Sequence, residues 1–130
     1  MLPKWNPNKN LFATSSQGQL YVAAIYDKLY LGDSRVRLGL SVADFSDELE
    51  RQLAAGRVMS YVQAYEHRGL VRFSAVWTPK TTRHWAASHA MSKYTTLNKL
   101  VDYSSVNVPL VSIAAYVDDD GGLYFAALWR

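Results

Sequence analysis

Three segments of this 130-residue chain repeat one strand pattern, and this internal repeat constrains the fold more than any other feature. Each segment begins with glycine, continues through alternating apolar residues and an alanine, and ends with a large aromatic residue. The three segments are Gly18–Tyr26, Gly69–Trp77 and Gly121–Trp129. Their closing aromatic residues are separated by 51 and 52 positions. A fixed period of this length is typical of repeat architectures, in which neighbouring units bury a continuous core.

Each repeated strand is preceded by a second strand-like segment, so each repeat is predicted to contain a β-hairpin. Segments 58–66 and 109–117 are joined to the repeated strands by short turns at 67–69 and 118–122, and a weaker first hairpin covers 11–26. Helical patterns separate the hairpins. We therefore predict an α+β fold of tandem β-hairpin/α-helix repeats, ββ-α-ββ-α-ββ, with an antiparallel sheet and the helices packed on one face.

Two helices are predicted between the hairpins. The first begins after the N-cap Ser41, with Asp44 three residues later, close to a capping box, and ends at Gly56. The second begins after the N-cap Ser92. Helical spacing predicts their apolar stripes, which are Val42, Phe45, Leu49 and Leu53 in the first helix and Tyr94, Leu97, Leu100 and Val101 in the second.

The two faces of the repeated strand differ in composition. One face is apolar in all three copies and ends in the closing aromatic residue, which indicates that it lies on the core. Phe73, Trp77, Phe125 and Trp129 are accordingly predicted to share a core with Phe45, Leu49 and Leu53. The other face is mixed and is expected to be partly exposed to water.

Length and composition indicate one compact domain. Residues 1–10, with two prolines and three asparagines, are predicted to be an irregular lead-in, and 11–130 a single domain of about two and a half ββα repeats. Neither a signal peptide nor a membrane anchor is visible. The absence of cysteine excludes disulfides and thiolate metal sites. The net charge of +3 is scattered, which argues against a basic nucleic-acid arm.

The residues around the second and third repeated strands resemble those of a known repeat family. A strand ending in Trp77 leads to a Trp-x-x-x-His segment and a capped helix, with Trp85, His89, Met91 and Ser92 at the corresponding positions. This order resembles bacterial tandem repeats and the N-terminal repeat module of secreted serine hydrolases of the polyglycine hydrolase type. The resemblance covers about 18–129.

The resemblance implies a non-catalytic repeat module and suggests an extracellular protein. In the hydrolases the catalytic part is a separate β-lactamase-like domain, whose Ser-x-x-Lys motif is absent from this chain. The first unit departs from the pattern, because Leu38 stands where the histidine would be and Tyr26 replaces the closing tryptophan. The implied role is to hold or orient a substrate.

The chain carries no motif for catalysis, for a metal or for a cofactor. His84 and His89 are five residues apart, without the spacing of a zinc site, and His89 is expected to be packed, with one nitrogen on a backbone carbonyl. The Asp118–Asp120 run leads into two glycines and predicts a solvated hairpin turn rather than a calcium loop. No serine lies in a Gly-x-Ser-x-Gly elbow.

The aromatic residues of the mixed strand face are the remaining candidates for function. Tyrosine offers a flat contact area with a polar tip, which suits protein, peptide or glycan surfaces. The predicted binding surface consists of Tyr21, Tyr61, Tyr65, Arg72, Tyr116 and Tyr124. The alternative is that these rings cover a helix or a neighbouring copy.

These observations predict a binding or assembly module without a cofactor and without a membrane partner. Its partner would be a protein or peptide, a neighbouring domain or a second copy, with self-association through exposed edge strands, since the chain begins partway through a unit. A first alternative is nucleic-acid binding by a basic, aromatic sheet face, and a second is a hydrolase with an unrecognised site. The candidates for these alternatives are Arg72, Arg35, Arg37 and Lys80 for nucleic acid, and His84, His89 and Ser88 for hydrolysis.

Overall fold

The computed structural model describes residues 6–17, 19–27, 34–80 and 85–130. In this part of the chain the predicted α+β class is confirmed, with eight strands and two helices. The strands are β1 (Asn6–Ser16), β2 (Gln19–Asp27), β3 (Arg35–Leu40), β4 (Arg57–His67), β5 (Leu70–Pro79), β6 (Ala86–Met91), β7 (Leu110–Val117) and β8 (Leu123–Trp129), and the helices are α1 (Val42–Ala54) and α2 (Lys93–Ser105). β1 begins at Asn6, inside the segment predicted to be an irregular lead-in.

The strands form three separate antiparallel sheets instead of the single sheet that was predicted. β1 and β2 form a hairpin, and two three-stranded sheets follow with the orders β3-β5-β4 and β6-β8-β7. We call β3-α1-β4-β5 unit 1 (34–80) and β6-α2-β7-β8 unit 2 (85–130). Each unit therefore contains a strand before its helix that the predicted ββ-α order lacks. This additional strand makes the repeated strand central in its sheet.

The two units share one register as well as one topology. Arg35 pairs with Trp77 in unit 1, and Ala86 pairs with Trp129 in unit 2. A register shift follows in each unit, between Arg37 and Leu40 and at the corresponding place in β6. Residues of β3, α1 and β4 thus have their equivalents 51 positions later, and residues of β5 have theirs 52 positions later.

The change from 51 to 52 positions arises in the hairpin turn. Unit 1 uses the two-residue turn Arg68-Gly69 between its last two strands, a length that suits a twisted hairpin. In unit 2 the Gly121 N–H donates to the Asp118 carbonyl at 2.8 Å, and the Asp118 N–H donates to the Gly122 carbonyl at 3.0 Å. Gly121 has a φ of 81°, which glycine adopts without strain, so this turn accommodates one more residue.

The first helix has the predicted ends. The Ser41 hydroxyl accepts a hydrogen bond from the Asp44 N–H at 3.1 Å, and Gly56, with a φ of 77°, follows the last turn. Phe45 is fully buried, whereas Leu53 is 41% exposed and lies outside the core that was predicted to contain it. The stripe therefore contacts the sheet through its first two turns.

The second helix turns a different side to its sheet than predicted. The cap is confirmed, because the Ser92 hydroxyl accepts from the Thr95 N–H at 3.2 Å. Thr96 is buried, and the Tyr103 ring lies 4.8 Å from that of Trp129. Of the predicted stripe only Leu100 packs on the core; the other three members are exposed, namely Tyr94, Leu97 and Val101.

The sheets are stacked, so that each unit covers its predecessor. We call the side of a three-stranded sheet that carries the helix its helix face, and the other side its opposite face. The opposite face of unit 2 lies on the helix face of unit 1, and β1 packs on β4 as β4 packs on β7. Among the described side chains, two core clusters result instead of the predicted common core, one between the units around Phe73 and Trp77 and one beneath α2 around Trp129.

Candidate functional site

The contact between the two units is built around a buried aromatic cluster. Phe73 stacks on Phe45 of α1 with ring centroids 4.5 Å apart. Tyr116 of unit 2 meets the same Phe73 ring edge-on at 5.0 Å and is only 6% exposed. Edge-on and offset ring pairs of this kind add about 0.5–1.5 kcal/mol to the burial of the rings. One helix and the following unit therefore share the helix face of unit 1.

Polar contacts with the backbone fix the position of unit 2 on unit 1. The Trp85 indole N–H donates to the Met59 carbonyl at 2.9 Å. The Ser112 hydroxyl lies between the backbone groups of Val62: it donates to the carbonyl at 3.3 Å and accepts from the N–H at 3.4 Å. These bonds satisfy backbone groups that the stacking removes from water.

His89 belongs to this contact and has the packing role that was predicted for it. Its ring meets Phe45 edge-on at 5.5 Å. Its Nδ1 is buried without a hydrogen-bond partner among the described residues, and burial lowers the pKa of the imidazole. The predicted hydrogen bond to a backbone carbonyl is thus not made by this nitrogen. The hydrolytic candidate His84 lies outside the described residues.

The six residues of the predicted binding surface occupy one repeat face on three different sheets. Tyr21 belongs to the hairpin, Tyr61, Tyr65 and Arg72 to unit 1, and Tyr116 and Tyr124 to unit 2. Because the sheets are stacked, this face is mostly an internal contact. Only Tyr21, at 55%, is strongly exposed, and Tyr116 is in the core.

Individual tyrosines of this set are held by specific partners. The Tyr65 hydroxyl accepts from Ser74 at 3.3 Å. The Tyr124 hydroxyl donates to Asp120 at 2.8 Å, and this hydrogen bond raises the pKa of Tyr124. Burial raises the pKa values of Tyr61 and Tyr116. Members of the set also meet across the two units: the Tyr116 and Tyr124 rings lie 6.0 Å apart, and Tyr65 and Tyr116 line one cavity of about 270 Å³.

Among the basic residues proposed for nucleic acid, Arg37 forms an ion pair within the structure. Arg37 lies 3.3 Å from the carboxylate of Glu48, which is only 4% exposed and also accepts from Arg51 and Gln52. The Gln52 amide oxygen accepts from Arg57 at 2.6 Å. Sequence reasoning missed this network, although the i+3 and i+4 spacing from Glu48 is the signal that could have indicated it.

Unit 2 covers the helix face of unit 1. The corresponding helix face of unit 2 is more exposed. Met59 and Val62 are 1% and 2% exposed, whereas their equivalents in unit 2, Leu110 and Ile113, are 38% and 45% exposed. We call this surface the end face; it consists of the exposed Leu110 and Ile113, the half-buried Leu100, and the buried Val108 and Trp129. Four of these five residues also line a cavity of about 570 Å³ together with Ser104, Asn107 and Pro109.

One wall of the cavity corresponds to the strand segment of unit 1 that binds the indole of unit 2. Trp85 bonds to the Met59 carbonyl, and the equivalent of Met59 is Leu110, which lines the cavity. The lining is mainly apolar, so a docked side chain would be held chiefly by the hydrophobic effect. The end face therefore corresponds to the surface of unit 1 on which unit 2 is stacked.

Two structural facts concern the described residues, 6–17, 19–27, 34–80 and 85–130. No group of three or more His, Cys, Asp or Glu side chains is placed to hold a metal ion among them. Neither α1 nor α2 is long and apolar enough to cross a membrane.

Stacked β-α-β-β units of equal register define a repeat protein, in which each unit contacts its neighbours. Residues 32–80 match the family model described as "Polyglycine hydrolase-like, structural repeat". The match contains all of unit 1 as the structure describes it, and it confirms the repeat resemblance for that segment. No curated protein and no solved structure matches the chain.

Proposed function

We propose that this protein is a non-catalytic assembly module, whose end face binds the opposite face of a further hairpin-containing unit of the same repeat type. The observation that carries the proposal is the difference in exposure between Met59 and Val62 on one side and Leu110 and Ile113 on the other. The first pair is covered by unit 2, and the second pair presents the same type of surface to solvent.

The exposed apolar side chains of the end face make it suitable as a binding surface. Large exposed apolar patches on soluble proteins mark interaction sites. Completing the burial of side chains such as Leu110 and Ile113 contributes a fraction of the roughly 1.5–3 kcal/mol that full burial of such a side chain provides. Backbone acceptors such as the Leu110 carbonyl add specificity, as the Met59 carbonyl does inside the chain.

The partner's chemistry follows from the occupant inside the chain. Unit 2 contacts unit 1 through small and apolar residues at alternate strand positions, Ala126 and Leu128 on β8 and Ala114 on β7. The partly buried Tyr124 packs against the same cluster. A partner of the end face should present the same alternation on a hairpin. The substrate-holding role implied by the family resemblance would then belong to an assembled array of units.

Thiol labelling tests this function, because the chain contains no natural cysteine. Ile113→Cys introduces a thiol in the end face of unit 2. When a duplicate of residues 81–130 is appended after Arg130, labelling of that thiol should slow by at least about tenfold, since reaction then requires opening of the new contact.

Val101→Cys is the matched control. Val101 is 68% exposed, and its equivalent Glu50 is still exposed although unit 2 is stacked on unit 1. Its thiol should therefore react equally fast with and without the added unit. Unchanged labelling of the Ile113→Cys thiol beside a folded added unit would contradict the proposed function.

A further inference from the structure

We infer that the partner of the end face is a second copy of this chain, bound head to tail through its β1–β2 hairpin. The inference rests on the proposed function and adds the identity of the partner. The two surfaces involved are the end face and the face of the hairpin that carries Tyr21, which we call the head face. They lie at the two ends of the described stack, and neither takes part in the contacts between the hairpin, unit 1 and unit 2 as the structure describes them.

The sequence of β2 matches the strand that occupies the corresponding position inside the chain. Unit 2 meets unit 1 with Tyr124, Ala126 and Leu128 on β8. At the same repeat positions β2 carries Tyr21, Ala23 and Ile25, a tyrosine, an alanine and a branched apolar residue.

The repeated strand of unit 1 has a different set of residues at these positions. There β5 carries Arg72, Ser74 and Val76. β2 thus resembles β8, the docking strand of unit 2, more closely than β5 does. This resemblance identifies the head face as a suitable occupant of the end face.

The geometry of the stack supports the same pairing. β1 packs on β4 as β4 packs on β7, so the hairpin stacks on unit 1 in the same order as unit 1 stacks on unit 2. Tyr21 is 55% exposed. In unit 1, which stacks on the hairpin, Ser34 stands at the position that Trp85 has in unit 2. Stacking of two units therefore does not require the indole.

A head-to-tail contact is heterologous, because it joins two different surfaces. Such contacts close into rings when the rotation permits and otherwise continue as open chains. The mass of the protein in solution should therefore rise with concentration beyond that of a dimer.

The test uses two variants that each block one surface. Ile113→Asp places a charge in the end face, and Tyr21→Asp places one in the head face; both side chains are about half exposed, so the fold tolerates the change. Each variant alone should be monomeric by sedimentation velocity, with the dissociation constant raised at least about tenfold by the buried, unpaired charge. Circular dichroism verifies that each variant is folded.

Mixing the variants is the decisive measurement. Each retains the surface that the other lacks, so an equimolar mixture should form a dimer that cannot extend. Val101→Glu, which introduces the residue that unit 1 carries at this position, should associate like the unaltered chain. A chain that stays monomeric at all concentrations would overturn the inference, as would a mixture that stays monomeric. Protection of the Ile113→Cys thiol by an appended unit would still support the proposed function in either case.

Discussion

The comparison of Met59→Ala with Leu110→Ala tests the stacked arrangement most directly. The two residues occupy equivalent positions in β4 and β7, and each substitution removes a side chain of similar size. Met59 is 1% exposed beneath unit 2, and Leu110 is 38% exposed on the end face. The substitutions therefore differ mainly in whether a neighbouring unit covers the site.

The expected difference follows from burial. Truncating a fully buried methionine or leucine to alanine costs about 2–5 kcal/mol, because a cavity remains in addition to the lost transfer free energy. For Leu110 part of the transfer term is absent, and solvent enters the vacated space, so we expect a loss of about 1 kcal/mol. The free energy of unfolding should thus fall by about 2 kcal/mol more for Met59→Ala.

Urea denaturation followed by tryptophan fluorescence measures this difference. With a slope of about 1–3 kcal/mol per molar urea, the two midpoints should be separated by roughly 1 M. The measurement belongs at protein concentrations where sedimentation shows a monomer, because association would also cover Leu110. Equal losses in the monomer would mean that Leu110 is covered within one chain, and the equivalence of the two helix faces would be refuted.

Three further predictions follow from the contacts. Trp77→Ala should cost about 3–5 kcal/mol and Tyr21→Ala less than about 1 kcal/mol, since the first side chain is fully buried and the second is 55% exposed; reversed denaturant midpoints would show that the strand faces are misassigned. Because burial lowers the pKa of His89 below its ordinary value near 6.5, the unfolded state binds more protons in acid. The contribution of the neutral His89 to the free energy of unfolding should be fully present above that value and should fall as the pH drops towards the pKa of the folded state. Unfolding midpoints between pH 7.5 and pH 5 measure this dependence, which should be weaker in His89→Leu. Glu48→Ala should lower the free energy of unfolding by about 1–3 kcal/mol, because the buried hydrogen bonds to Glu48 are lost. Arg37→Ala should lower it by less than about 1 kcal/mol, because Glu48 keeps its other partners. Thermal unfolding of the two variants measures the difference, and equal losses would assign the stability to the Arg37 ion pair.

Local features of the fold could be predicted from the sequence because their causes are local. The repeat period identified both units, and the serine caps with the residues three positions later located the start of each helix. Glycine and the turn residues placed the hairpins correctly. The extra residue in the turn that contains Gly121 accounts for the change of period from 51 to 52.

The strand before each helix escaped prediction because its signal is non-local. β3 is short and contains two arginines and a glycine, so its own residues do not indicate a strand. Its pairing partner β5 follows about one helix and one strand later in the chain. The buried network around Glu48 escaped for a related reason, since Arg37 and Arg57 reach it from different strands.

The sequence by itself determined the units of this protein, and the tertiary structure decided which of their faces are covered. Period, alternation and capping depend on residues within one unit. Whether a tyrosine, leucine or isoleucine lies in the core depends on the unit stacked against it. For that reason equivalent residues such as Val62 and Ile113 are buried in one place and exposed in the other, and the candidate site became visible only when the two units were compared in space.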